Sequence, residues 1–206
     1  QKFNQCKSAG EIIYNLLVND IRPSEIVNRT ALTNAVKACI ALGGSTNMVL
    51  HLLAIAKTIG IDLNLDDFNT LGESVPVIGN MKPFGKYLMN DLHHIGGIPL
   101  VLKFLMEENI IDGSIYTIMS ETLEESLQDI STDILREYPT DDNKRALDIL
   151  RVRNPIKKNS HIRIFRGNLA PNGAVGKITG NEGSFFRGRV MVFDSEDEFM
   201  DYISQD

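Results

Sequence analysis

The chain has 206 residues, 43% hydrophobic and 23% charged, which is enough to bury a core and build one domain or two. Its 21 basic and 27 acidic residues give a net charge of −6, with no basic block or interleaved aromatic stripe, so no nucleic-acid partner is expected. Apolar runs such as Ile98 to Met106 are too short to span a bilayer and contain Lys103, so no membrane partner is expected either. Cys6 and Cys39 are widely spaced and form no Cys-x-x-Cys pattern, from which a reducing, cytoplasmic setting is expected.

Taken in chain order, residues 8–19 carry apolar side chains at helical spacing, Pro23 interrupts, and Thr30 to Ala41 resumes the pattern. Met48, Val49, Leu52, Leu53 and Ile55 predict a broadly apolar helix ending near Gly60, buried against a sheet or other helices. Leu65 to Phe68 reads as a short helix and Val75 to Ile78 as a short strand or extended link. A helix pair is predicted at Lys86–His94 and Ile98–Glu108, separated by Gly96 and Gly97. The polar run Asp141-Asp142-Asn143-Lys144 is expected to be exposed.

Character changes near residue 150. His161 to Phe165, Gly173 to Ile178 and Gly188 to Phe193 predict three strands, and Ser195 with Glu198 has capping-box spacing before a closing helix. The expected class is α/β, a helix-rich part over 1–150 and a strand-rich part over 151–206 belonging to different domains. The chain opens Gln1-Lys2-Phe3 and closes Ser204-Gln205-Asp206, and is read as a piece of a longer polypeptide.

The stretch Ala41-Leu42-Gly43-Gly44-Ser45-Thr46-Asn47 joins two apolar helical runs through two glycines and three small polar residues. Glycine allows a sharp turn and close approach to a ligand, Ser, Thr and Asn cap the next helix, and unpaired amides there suit a carboxylate or phosphate. The same residues also read as a plain capped connection, and they lack a Walker ending. His93 and His94 diverge by about 100° on a helix and do not aim easily at one metal. His51 and His161 have no ligand-type neighbours at metal spacing, so no dedicated metal site is expected. Asp91 and His93 beside a glycine pair read as pocket lining or as an ordinary helix end. Cys6 and Cys39 each read as a small buried residue on an apolar face. The acidic pairs at 107–108, 124–125 and 141–142 read as solvated surface. Arg166 to Gly173 reads as a hairpin turn.

In order and spacing, Ala41 to Asn47, Val49-Leu50-His51-Leu52-Leu53, Asp66-Asp67-Phe68, Val75-Pro76-Val77 and Lys82-Pro83-Phe84-Gly85-Lys86-Tyr87 form a recognisable series. It continues through Asp91 to Pro99, Thr122-Leu123, Asn154-Pro155, Arg166 to Pro171, Gly173-Ala174-Val175 and Val192 to Glu196. This series resembles the dihydroxy-acid dehydratase and phosphogluconate dehydratase family over essentially the whole chain, and is more similar to the branched-chain amino-acid enzyme than to its sugar-acid relatives. Asn90, His94 and Gly176 depart from the family's usual acid, Arg and β-branched residue.

The resemblance implies a hydro-lyase converting 2,3-dihydroxy carboxylic acids to 2-oxo acids, working as a homodimer with an iron–sulfur cluster and Mg²⁺. The family's cluster cysteines, metal ligands and serine base match no position in this chain, so no catalytic, cofactor-binding or metal residue is expected on it. It also implies a fold: the later part of an α/β domain followed by the start of a β-barrel-like swivelling domain. Turn chemistry and resemblance together make Gly44, Ser45, Thr46, Asn47, His93 and Asn168 the candidates for lining the substrate cleft. A sugar-acid dehydratase and a non-catalytic anion-binding or scaffolding remnant are the alternatives.

Overall fold

The computed structural model describes residues 2–83, 85–119, 121–141, 143–178, 183 and 185–205. Phe84 of the Lys-Pro string and Asp142 of the polar run lie outside the described residues. The helices of the first half are α1 (Lys2–Val18), α2 (Pro23–Ile26), α3 (Arg29–Ala41), α4 (Asn47–Thr58) and α5 (Leu65–Gly72). They are followed by α6 (Met89–His94), α7 (Gly97–Glu107), α8 (Leu123–Ser126), α9 (Asp133–Arg136) and α10 (Lys144–Ile149). Strands β1 (Ile162–Phe165) and β2 (Ala174–Lys177) and helix α11 (Glu196–Ile203) complete the chain. The class is mixed α and β, and no helix among the described residues is long and apolar enough to cross a membrane.

Local capping explains several boundaries. Asn28 accepts from the Ala31 amide at 2.9 Å to start α3. At α5, Asn64 accepts from the Asp66 amide, while Asp67 accepts from the Asn64 amide at 2.7 Å and also takes a two-pronged contact from Arg29. That guanidinium holds the Asp67 carboxyl below its ordinary range. Ser195 caps α11 by accepting from the Glu198 amide, but the Glu198 carboxylate accepts from the Asp194 amide, one residue upstream of the Ser195 amide that a full box engages.

The core gathers α3, α5, α6 and α7 with β1: Val36, Ile40, Phe68, Leu92, Leu105 and Ile162 are all buried within it. The residues at 75–79 run as the extended link anticipated, making single bridges from Val77 to Lys157 and from Gly79 to Leu150. The only sheet among the described residues is the antiparallel pair β1–β2, with Ile162 opposite Lys177 and Phe165 opposite Ala174. Asn69 of α5 pins β1 at both polarities, donating to the Ile164 carbonyl at 3.1 Å and accepting from its amide at 2.9 Å.

Four expectations need correction. Residues 188–193 form no strand, because a strand needs a laddered neighbour and no described residue supplies one. Helix α4 packs on α3 and α5 as expected, but on one face only, leaving Ile55 exposed. Asn143 is buried, since its side chain is consumed by the loop that turns around it: it accepts from the Thr140 amide and donates to the Tyr138 carbonyl. Cys6 is exposed on α1, whereas Cys39 is partly buried. The departure at Gly176 has a steric reason: a Cβ there would sit 2.5 Å from the Phe165 ring lying across it.

Candidate functional site

The turn after α3 is built by its own backbone. Gly43 and Gly44 donate to the Ile40 and Cys39 carbonyls at 3.0 and 2.8 Å, the paired bonds that close a helix through a left-handed residue. Gly43 takes φ +72°, and a Cβ on Gly44 would lie 2.9 Å from the Cys39 oxygen. Both positions therefore need glycine.

The start of α4 differs from the expectation of outward, unpaired amides. Ser45 Oγ accepts from the Asn47 amide at 3.2 Å, and the Met48 and Val49 amides donate to the Ser45 and Thr46 carbonyls at 3.1 and 3.0 Å. Local bonds of the tight i to i+3 kind satisfy these donors, and the Thr46 side chain makes no capping bond.

The outer side of the turn is held from elsewhere in the chain. The Ile78 and Gly79 amides both donate to the Ala41 carbonyl, at 2.8 and 3.0 Å. Lys177 Nζ donates to the Gly43 carbonyl at 3.0 Å, and His161 Nε2 donates to the Gly44 carbonyl at 2.7 Å. Because a carbonyl only accepts, the His161 proton sits on Nε2. His161 is 2% exposed, and burial lowers its pKa, against the bond to Gly44, which raises it; the charges of Lys177 and Lys157 lower it further. Burial also lowers the Lys177 pKa. Gly43, Val77, Lys157, His161 and Ile178 enclose a cavity of about 30 Å³, room for a single water molecule.

The candidates sit on three separate elements. Gly44 to Asn47 form the turn, with Ser45 and Asn47 exposed. His93 is exposed in the last turn of α6, and Asn168 is exposed in the β1–β2 connection, at the opposite end of the hairpin from His161. The structure brings the turn together with His161 and Lys177, which motif reasoning did not select. The available signal was a histidine at the head of an apolar strand with no ligand-type neighbours to explain it. Asp91 is engaged in structure: it accepts from the Leu88 amide at 2.8 Å and pairs with Arg145 at 2.5 Å, contacts that lower its pKa in that order of importance. A wider cleft of about 580 Å³ between α3 and the 109–113 turn contains none of the candidates, and the Lys37 ammonium there is bonded to the Ile110 carbonyl.

The acidic residues are structural as well. Glu107 accepts from Thr132 Oγ1 at 2.6 Å and from Arg136, contacts that lower its pKa, and Asp148 accepts from the Tyr87 hydroxyl at 2.7 Å. Among the described residues no three His, Cys, Asp or Glu side chains gather as a metal site.

Comparison with known proteins fits the order of these elements. The model for the N-terminal part of dihydroxy-acid/6-phosphogluconate dehydratases matches residues 1–126, and the model for the C-terminal part matches 148–206. A mitochondrial dihydroxy-acid dehydratase of Aspergillus fumigatus is 49% identical over 197 residues, 95% of this chain and 31% of that protein. The mitochondrial enzyme of Schizosaccharomyces pombe is 48% identical over 201 residues, 97% of this chain and 32% of its own length. The chloroplastic enzyme of Arabidopsis thaliana is 43% identical over 206 residues, 100% of this chain and 32% of its own. The chain thus spans about a third of the length of these curated relatives.

These names overturn the cytoplasmic expectation, since the three relatives are mitochondrial or chloroplastic proteins. The expectation rested on two widely spaced cysteines, and cysteine spacing carries no organelle address. The chain belongs to the dihydroxy-acid/6-phosphogluconate dehydratase family.

Proposed function

We propose that this chain is part of a hydro-lyase that dehydrates 2,3-dihydroxy carboxylic acids to 2-oxo acids in branched-chain amino-acid biosynthesis. The observation that carries this reading is the pair of family models matched in sequence order, together with relatives named dihydroxy-acid dehydratase over 95% or more of the chain. In the reaction the C2 proton leaves, the C3 hydroxyl departs as water, and the resulting enol ketonises to the 2-oxo acid. Residues 1–150 are the later part of an α/β domain, and 151–206 open a swivelling β-rich domain.

An iron–sulfur cluster and Mg²⁺ belong to this reading as cofactors of the intact homodimeric enzyme, supplying Lewis acidity at the departing hydroxyl and the substrate carboxylate. Among the described residues no three His, Cys, Asp or Glu side chains gather to hold either group. Cys6 stands exposed and alone on α1, and burial pushes the Cys39 thiol up, away from the thiolate a cluster needs. The part played here is that of wall and support: Gly44, Ser45, Thr46 and Asn47 line the substrate cleft, with His93 and Asn168 on its margins.

Assay of the full-length protein with a branched 2,3-dihydroxy acid and with 6-phosphogluconate tests the reading. Formation of the branched 2-oxo acid is expected; preference for phosphogluconate moves the assignment to the sugar-acid branch, and turnover of neither rejects it. Alanine at Ser45, Thr46 and Asn47 in that protein raises KM or lowers kcat, whereas unchanged kinetics in a folded variant removes the turn from the cleft. Residues 1–206 alone are expected to show no dehydratase activity.

A further inference from the structure

The carbonyls of Gly43 and Gly44 are both taken by side chains more than 110 residues away: Lys177 at a separation of 134 and His161 at 117. Peptide planarity turns those two bonds into a constraint on the exposed edge of the turn. The Gly44 oxygen and the Ser45 N–H belong to one rigid plane and point in opposite directions. A donor that holds the oxygen on the His161 side therefore directs the Ser45 amide to the other side. Lys177 does the same one peptide earlier, and the Ile78 and Gly79 amides anchor the Ala41 carbonyl, two residues before the first glycine. Glycine is otherwise the residue most free to rotate at such positions.

We propose that His161 and Lys177 are positioning residues: they lock the peptide planes of the Gly-Gly turn, and so set where Ser45, Thr46 and Asn47 stand against the substrate. This rests on the reading that the turn lines the cleft, and adds that its shape is imposed by the segment after residue 160. His161 is suited to the task because it is buried, donates through a single N–H and has a flat ring with little rotamer freedom. Lys177 adds a second donor at the end of β2, a strand whose register with β1 fixes its height relative to His161.

The test uses the full-length enzyme, comparing His161→Ala and Lys177→Met with His161→Gln and Lys177→Arg, which keep an N–H donor. Loss of the donor is expected to raise KM roughly three- to tenfold, the range set by one net hydrogen bond, with kcat changed less than about twofold. The donor-retaining variants are expected to restore KM in part. Thermal unfolding is followed in parallel, and if His161→Ala does not fold, Lys177→Met, at a less buried position, carries the comparison. Three outcomes are distinguishable when Ser45→Ala and Asn47→Ala are run alongside. Raised KM in both sets, with rescue, supports the proposal. Raised KM in the turn variants only overturns the positioning role and leaves the turn in the cleft. Unchanged kinetics in the turn variants overturns the cleft reading, and the positioning role with it.

Discussion

The hairpin at 160–178 and the segment at 185–205 are close neighbours in the chain, yet they treat their apolar residues in opposite ways. Ile162 is fully buried and Ile164 is 7% exposed, both in the core shared with α3 and α5, and Asn69 ties the β1 backbone to α5. Val190 and Val192 are 83% and 85% exposed, and no described residue pairs with their backbone. Both segments carry β-branched and apolar residues at strand spacing. The difference teaches that alternation specifies a face, while burial requires a second surface to meet it. The hairpin meets α5; in the later segment Phe193 packs on Phe199 and Tyr202, while Val190 and Val192 stay open to solvent.

This contrast can be broken by substitution. The largest effect is expected from Ile162→Ala, which opens a cavity in a filled core and should cost about 2–5 kcal/mol in urea unfolding. A loss under about 0.5 kcal/mol would mean that β1 is not packed as described. Asn69→Ala comes next, at about 1–3 kcal/mol, because it leaves both the amide and the carbonyl of Ile164 without their partner. Faster amide exchange at Ile164 in that variant is the accompanying signature.

A pH titration sharpens the comparison further. Burial holds the folded pKa of His161 below its ordinary 6.5, so the unfolded chain binds more protons in the window just under that value. Stability is therefore full above about pH 6.5 and declines as pH falls through that window, and His161→Gln should flatten the slope. Asp67, held low by Arg29, contributes stability above the usual carboxylate range and loses it only at more acid pH, so the two effects separate. The smallest effect is expected in the exposed segment: Val190→Thr should change unfolding by less than about 0.5 kcal/mol. A cost comparable to that of Ile162→Ala would show that the segment is covered and would erase the contrast.

Much of the fold was legible because its signals are local. Apolar spacing located α3, α4, α5 and α7, the Ser195–Glu198 spacing marked the start of α11, and alternation located β1 and β2. The glycine turn was legible for the same reason, since its closing bonds reach back only to Ile40 and Cys39. The errors share a cause too. The exposure of Cys6 and Ile55, the burial of Asn143 and the missing third strand all depend on which surface comes to lie against a residue, which no short window of sequence contains.

The longer helices, the cap of α11, the hairpin, the reversal at Gly43 and the motif series of the family could thus be read from residue order, because each rests on contacts within a few residues or on order alone. That His161 and Lys177 hold the turn is a product of long-range packing. Those bonds span 117 and 134 residues, and a donor's partner at that range is chosen by how α5, the 75–79 link and the hairpin pack, not by the spacing of the residues around it.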